Sequence, residues 1–365
     1  MSFPLSSLTE YTESNSLTPD YTDEIKRYVL KLENNGVPII FSLPHLGMAA
    51  GVSIDWINNI VTGNRQAFYK RFKLAKRSGG YRTIQSPESG LKYLQRWILY
   101  NILSCLPSHP ASKAFDKGNS IALNASEHLN KDAILKIDLL RFFDSINEER
   151  VYGIFSGVGY HKNLAVTLAK LCTILPDNNY FIAFKSYEKK LLDKIQITHS
   201  GILPQGSTCS PKLANLIAWR LDNRLFNLAK KNNVQYSRYA DDLTFSGNRG
   251  TLAKLKKVIY KIIEDENFFV NFGKTKLLVR GNRFFVTGLS IHNDCVRVPQ
   301  HFKKEIEHHL HHCLKNGVNI HRIKAKIKNR NFRDWLLGKI CFIASIEPEV
   351  GQKYYALFNK IEWPI

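Results

Sequence analysis

Two adjacent acids stand between two apolar, aromatic-rich runs at Tyr239-Ala240-Asp241-Asp242, within the stretch from Val234 to Gly247. Aspartate is disfavoured in strands and favoured in turns. Tyr236 to Tyr239 and Leu243 to Phe245 therefore read as paired strands with the acids at the hairpin tip. No other stretch constrains the fold as much. It calls for an antiparallel sheet and leaves both carboxylates at one sheet end. Alone, an Asp-Asp pair is an ordinary solvated turn. A third acid, Asp138, closes another apolar run, Ala133 to Asp138. If the two runs are neighbours, three carboxylates meet at one edge. Like charges so placed are costly unless a cation neutralises them. Oxygen donors of this kind suit Mg²⁺, which is held by one or two carboxylates plus substrate phosphates. Two such ions about 3.5–4 Å apart clamp the attacking and leaving oxygens of an in-line phosphoryl transfer.

The charge balance says what such a sheet would meet. Lys+Arg is 52 against Asp+Glu 31, a net charge of +21 on 365 residues. A surplus of this size predicts attraction to polyanions, nucleic acid first. An anionic membrane surface comes second, and no long amphipathic basic helix supports it. The 44% hydrophobic content suffices for a sizeable core in two or three subdomains. Six cysteines lie too far apart in sequence for a zinc half-site or a disulfide framework, which points to reduced thiols and a cytoplasmic protein. The N-terminus lacks a signal-peptide pattern, and no apolar run approaches the roughly 18 residues of a membrane span.

In chain order, Tyr21–Asn34 reads as a helix, and Ser53 as the N-cap of another. Tyr69 to Pro87 reads as two strands joined at Ser78-Gly79-Gly80, carrying Lys73, Lys76, Arg77 and Arg82. That is an exposed basic hairpin, or a flap closing cations over a triphosphate, a task suited to the arginine fork. Leu91 to Leu106 reads as a buried helix. Phe142 and Phe143 follow Asp138, and Tyr180 to Phe184 is strand-like. In the loop before Leu216, Gly206 permits close backbone approach. Ser210 and Pro211 read as N-cap and first residue of a helix from Lys212 to Leu228. Gly273-Lys274-Thr275 resembles the end of a P-loop, but Phe268 stands where its first glycine belongs, so that motif is rejected. Lys274 is kept as a charge or an acid beside a phosphate. Arg283–Ile291 and Cys295–Val298 form a further hairpin around Asn293-Asp294. From Pro299 the pattern is helical. His308 and His312 have metal-ligand spacing without an intervening glutamate, and a polar helix face is preferred to a metal site there.

The ordered set of Arg82, Asp138 with Phe143, Leu203-Pro204-Gln205-Gly206, Tyr239-Ala240-Asp241-Asp242, Lys274 and Val286-Thr287-Gly288 resembles the reverse transcriptase motif series. It covers roughly residues 67–298. Viral RNA-copying RNA polymerases usually carry Gly-Asp-Asp at the hairpin and lack both Leu-Pro-Gln-Gly and the aromatic gate. Within the family, Asn124-Ala125-Ser126-Glu127-His128 and Val286-Thr287-Gly288 are similar to two elements of bacterial retron reverse transcriptases. Ser-Thr-Cys after Gly206, and Phe284, depart from the common retron pattern.

The resemblance implies an α+β right-hand polymerase with fingers, a palm built on an antiparallel sheet, and a helical thumb. Residues 1–66 would be an N-terminal helical extension and 67–132 the fingers. The palm would span 133–298, with finger helices from 147–200, and the RNA-binding thumb 299–365. It implies two Mg²⁺ ions, with Mn²⁺ as a substitute, on Asp138, Asp241 and Asp242. Lys73, Lys76, Arg82, Phe143, Gln205, Gly206 and Lys274 would bind the nucleotide, Phe143 as a floor with no room for a 2′-OH. Asn124, His128, Val286, Thr287, Gly288, Arg322, Lys324, Lys326, Lys328 and Arg330 would address RNA. The implied partners are dNTPs, a structured noncoding RNA serving as template and primer, the single-stranded DNA product, and an effector protein in antiphage defence. The product would be branched multicopy single-stranded DNA begun from an internal guanosine 2′-OH. Two alternatives stay open. One is a bacterial reverse transcriptase of group II intron, diversity-generating or abortive-infection type. The other is a catalytically silent RNA-binding scaffold.

Overall fold

A computed structural model describes residues 4–14, 18–75, 79–181, 184–198, 200–279, 284–292 and 294–364. Its organising strand is β3, Ala133–Leu139, buried at every position except Lys136. A nearly continuous apolar run of this length suits a strand covered on both faces. The neighbouring strands are β4 (Gln235–Tyr239), β5 (Asp242–Gly247) and β6 (Val270–Val279). With β3 they form an antiparallel sheet in the order β4-β5-β3-β6. The register sets Asp138 opposite both Asp242 of β5 and Asn271 of β6, so the two acid-bearing runs are indeed neighbours. A bulge between Lys136 and Asp138 shifts the β6 register, the kind of irregularity that re-aims side chains beside functional sites.

Helices Trp219–Lys231 and Arg249–Asp265 pack against the sheet. The main core joins Ile137 of β3 and Phe245 of β5 to Leu32, Ile40, Leu46 and Ile57 of the N-terminal segment. Residues before 66 thus share the sheet's core rather than forming one of their own. A basic hairpin, β1 (Tyr69–Ala75) with β2 (Tyr81–Pro87), stands to one side. A second core begins at β7 (Phe284–Val286), β8 (Leu289–His292) and β9 (Cys295–Arg297), an antiparallel meander. It continues through helices Gln300–Asn316, Val318–Lys324, Phe332–Ala344 and Pro348–Phe358. Ala125 and Ile134 also enter this second core and so join it to the sheet.

Several local expectations change. Asn178–Phe181 is a helical turn, so the strand-like reading of 180–184 fails over the described residues. Leu91 to Leu106 divides into the helix Ser89–Asn101 and a short 3₁₀ turn, and its outer face exposes Tyr93 and Tyr100. Ser53 occupies an N-cap position, but its side chain makes no capping bond. Ser210 lies inside the helix Ser210–Ile217, and its hydroxyl donates to the Pro204 carbonyl at 2.8 Å rather than accepting a capping bond. That helix ends at Ala218, where the next begins. No disulfide joins the cysteines among the described residues. No described helix is long and apolar enough to cross a membrane.

Candidate active site

Asp138 sits one residue from the end of β3, Asp242 opens β5, and Asp241 lies in the two-residue turn between β4 and β5. The Leu139 N–H donates to the Asp241 carbonyl at 2.8 Å, which fastens the turn to β3. Burial, reinforced by Asp242 and Asp138, raises the Asp241 carboxyl to about 6. Burial also raises Asp242. The Lys274 ammonium donates to Asp138 Oδ1 at 2.7 Å, and Asn271 Nδ2 donates to Oδ2 at 2.9 Å. Burial works against the charge on Lys274, but the bond to Asp138 and the other two acids outweigh it and raise its pKa. One cation therefore already answers part of the acid charge. The raised carboxyl of Asp241 marks a position where a divalent cation would be stabilising. Among the described residues, no three His, Cys, Asp or Glu side chains are grouped so as to hold a metal ion by themselves. The donor set fits an ion whose coordination is completed by substrate phosphates.

Behind the turn lies a buried ion pair that the sequence reading passed over. Arg238 and Asp222 are both 0% exposed. Arg238 Nε and Nη2 donate to the two Asp222 oxygens at 2.8 and 2.7 Å. Arg238 Nη1 donates to Asn215 Oδ1 at 3.1 Å and to the Ala240 carbonyl at 3.0 Å. Ala240 has φ +56°, a conformation that costs an L-residue about 1–2 kcal/mol. The guanidinium thus holds a strained turn from inside while its other arms grip the two helices that follow the 203–206 loop. The usable signal was an arginine inside a strand whose neighbours are buried on both faces.

The nucleotide candidates separate by position. Phe142 points into the core against Phe268, ring centroids 5.4 Å apart, whereas Phe143 is half-buried at its rim. Gln205 accepts a hydrogen bond from the Gln85 N–H of β2 through its carbonyl at 2.8 Å. Gly206 has φ +123°, and a Cβ there would stand 2.7 Å from Ile84 Cγ2. The close approach that requires glycine is thus made by β2. Arg82 shares a ribbon face with Ile84, because side chains alternate along a strand, and so faces the 203–206 loop. Lys73 pairs with Thr83 and therefore points to the opposite face from Arg82, which removes it from a shared phosphate clamp. Lys76 lies outside the described residues.

Two residues expected to address RNA are buried instead. Asn124 is 1% and His128 0% exposed. His128 Nδ1 and Nε2 lie 2.7 Å from Ser246 Oγ and Ser237 Oγ, and Ser237 Oγ also donates to Asn124 Oδ1 at 2.7 Å. The helix Ile121–Ser126 and the residues after it thereby brace the β4–β5 hairpin from behind. On the helix's other side, Thr287 Oγ1 donates to the Ile121 carbonyl at 3.0 Å, Val286 is fully buried, and Gly288 supplies a φ of +81° to the β7–β8 turn. Val286 therefore packs rather than contacts RNA. Burial lowers His128 to about 3, with Lys131 and Lys113 adding to it. The unfolded chain takes up a proton near pH 6.5 that the folded chain refuses, so this residue's contribution to stability is present above pH 6.5 and is lost as pH falls towards 3. Urea unfolding at pH 7.5 and pH 5 should show a smaller acid loss for His128→Gln than for the parent. Equal losses would remove His128 as the cause.

In the second core, Lys324, Lys326, Lys328 and Arg330 are exposed, and Arg322 Nη2 donates to the Asn329 carbonyl at 3.2 Å. No acid occurs from Asn319 to Arg333, so the segment is an exposed cationic stretch along which Ile320 and Ile323 are also exposed. The ring centroids of His308 and His312 are 4.4 Å apart, and His309 Nδ1 lies 2.8 Å from His321 Nε2. These rings bond and stack with one another without forming a metal cage among the described residues.

Known proteins carry the same arrangement of sequence. The family described as reverse transcriptase (RNA-dependent DNA polymerase) matches residues 74–328. The chain is 31% identical over 337 residues to the retron Ec86 reverse transcriptase of Escherichia coli, covering 91% of this chain and 93% of that one. It is 30% identical to the retron Mx162 reverse transcriptase of Myxococcus xanthus, covering 90% and 68%. It is 32% identical to the retron Ec73 reverse transcriptase of Escherichia coli, covering 80% and 88%.

Proposed function

The chain belongs to the retron reverse transcriptases, RNA-directed DNA polymerases, and from that we propose that it copies a structured noncoding RNA, beginning at an internal 2′-OH, into branched single-stranded DNA. The observation that carries the reading is the register of Asp138 opposite Asp242, with Asp241 in the adjoining turn. Three acids at one sheet end are the donors that Mg²⁺, or Mn²⁺ in its place, needs when substrate phosphates complete the coordination. When bound, the ions supply charge neutralisation and alignment for phosphoryl transfer. Asp138, Asp241 and Asp242 hold them. Lys274 keeps a positive charge beside Asp138, Arg82 draws in the triphosphate, and Phe143 and the 203–206 loop shape the nucleotide pocket. Thr287, Gly288 and the cationic surface from Arg322 to Arg330 receive RNA, while Asn124, His128 and Val286 hold those surfaces in place. Antiphage defence through an associated effector protein is the physiological role that fits a retron enzyme.

The test is to purify the tagged protein from its host and run the bound nucleic acid on a denaturing gel. The expected result is a discrete single-stranded DNA that shifts on RNase or debranching treatment. Unbranched DNA of mixed length would move the reading to another bacterial reverse transcriptase class. RNA with no DNA would favour a silent scaffold.

A further inference from the structure

Phe115 is an exposed aromatic held in a costly conformation. Its φ is +70° and its side chain is 49% exposed. Both features are unfavourable in themselves, and such strain persists where surrounding structure over-determines it, often at functional sites. The surroundings here do so. Asn215 Nδ2 donates to the Ala114 carbonyl at 2.8 Å and to Asp116 Oδ2 at 3.1 Å, gripping the residues on either side of Phe115. Asp116 also accepts from Lys212 Nζ at 2.6 Å. The same segment is fixed to β4, where the Arg238 N–H donates to the Ala111 carbonyl and the Lys113 N–H to the Arg238 carbonyl, each at 2.8 Å. The clamp uses Asn215 and Arg238, the residues that also secure the acid-bearing turn. It presents one ring, and that ring lies 6.4 Å, centroid to centroid, from Phe143 at a 47° tilt.

We propose that Phe115 is a specificity-determining residue of the nucleotide pocket, a second ring that continues the floor formed by Phe143 and contacts the incoming nucleotide. The inference rests on the polymerase reading above and adds a residue to that pocket. At 6.4 Å the two rings are close enough for aromatic contact to be favourable. Phe115 therefore supplies apolar surface to the nucleotide and keeps Phe143 from yielding to a 2′-OH. The loop could have satisfied its backbone with a glycine; the sequence keeps a large ring instead.

The full chain, given an RNA template with an annealed DNA primer, is assayed for incorporation of dNTPs and of the matching ribonucleotides. For Phe115→Ala the expected result is a KM for dNTP raised roughly 10-fold with kcat within about 2-fold, and a dNTP-over-rNTP preference lowered roughly 10-fold. Phe115→Tyr, which keeps the ring, should restore both. A half-exposed side chain leaves no large cavity, so the melting temperature should hold. If the alanine variant fails to fold, Phe115→Leu keeps bulk without the ring and is read the same way. Parent-like KM and sugar preference in a folded ringless variant would overturn the inference. A parent chain that incorporates no nucleotide would overturn the polymerase reading instead, so the two failures are told apart.

Discussion

Asp241→Asn is expected to abolish DNA synthesis, by about 10³-fold or more, while the chain stays folded. Metal-bound phosphoryl transfer draws several kcal/mol of transition-state stabilisation from its ions, and each 1.36 kcal/mol is tenfold in rate. Asp241 also has a raised carboxyl, crowded by burial and by its neighbours Asp242 and Asp138. Neutralising it removes a repulsion from the metal-free chain. Its melting temperature in the absence of divalent cation should therefore hold or rise, and the rise on adding Mg²⁺ should shrink. This combination separates loss of the site from loss of the fold. Asp138→Asn should be equally inactive, but it also surrenders the charge partner of Lys274, whose bond to Asp138 is 2.7 Å. Primer extension alongside thermal unfolding, with and without Mg²⁺, checks all three expectations. Undiminished synthesis in Asp241→Asn would remove Asp241 from the catalytic site.

Arg238→Ala is expected to lower stability by about 3–5 kcal/mol, the usual loss when one partner of a buried ion pair is removed. Domains are stable by only about 5–15 kcal/mol, so this variant approaches unfolding. The reason is specific: Asp222 would be left as a fully buried charge with, among the described residues, only the Tyr236 hydroxyl, 2.8 Å away, still donating to its carboxylate. Replacing both partners by apolar residues, Arg238→Met with Asp222→Leu, should recover much of the loss, because buried pairs are often matched by well-packed apolar groups. Synthesis should not recover with it, since the Ala240 carbonyl still loses its donor and the strained turn its support. Urea unfolding with primer extension on the three variants distinguishes these effects. A loss under about 1 kcal/mol in Arg238→Ala would mean that the pair contributes far less than its burial implies.

The acid-bearing hairpin was legible because aspartate fits a turn and not a strand, and Asp138 because it ends an apolar run. Pairing between those runs then follows from the sheet. Facing was harder to read. Lys73 and Arg82 are both exposed cations on one hairpin, yet the register Leu74 with Arg82 and Lys73 with Thr83 turns them to opposite sides. Sequence alone left that register unset. Asn124 and His128 looked like polar contacts because nothing in a short helix and the turn after it distinguishes an outward histidine from one bonded by two serines more than a hundred residues away. Phe115 left no trace either. A positive φ is usually announced by glycine or asparagine, and a phenylalanine there becomes visible only once Asn215 is seen gripping its neighbours.

The helix Ile121–Ser126 touches β4 on one side and the β7–β9 meander on the other. In engineering terms, it makes the β7–β9 meander a part that cannot be swapped apart from the sheet it braces. A hybrid enzyme joined before β7 would pair a foreign Thr287 and Val286 with this chain's Ile121 and lose the fit on which the hairpin's rear support depends. A junction after Val298 keeps the helix, the meander and the histidine–serine brace from one parent. It exchanges only the helices that carry the cationic surface, leaving template preference as the property free to change hands.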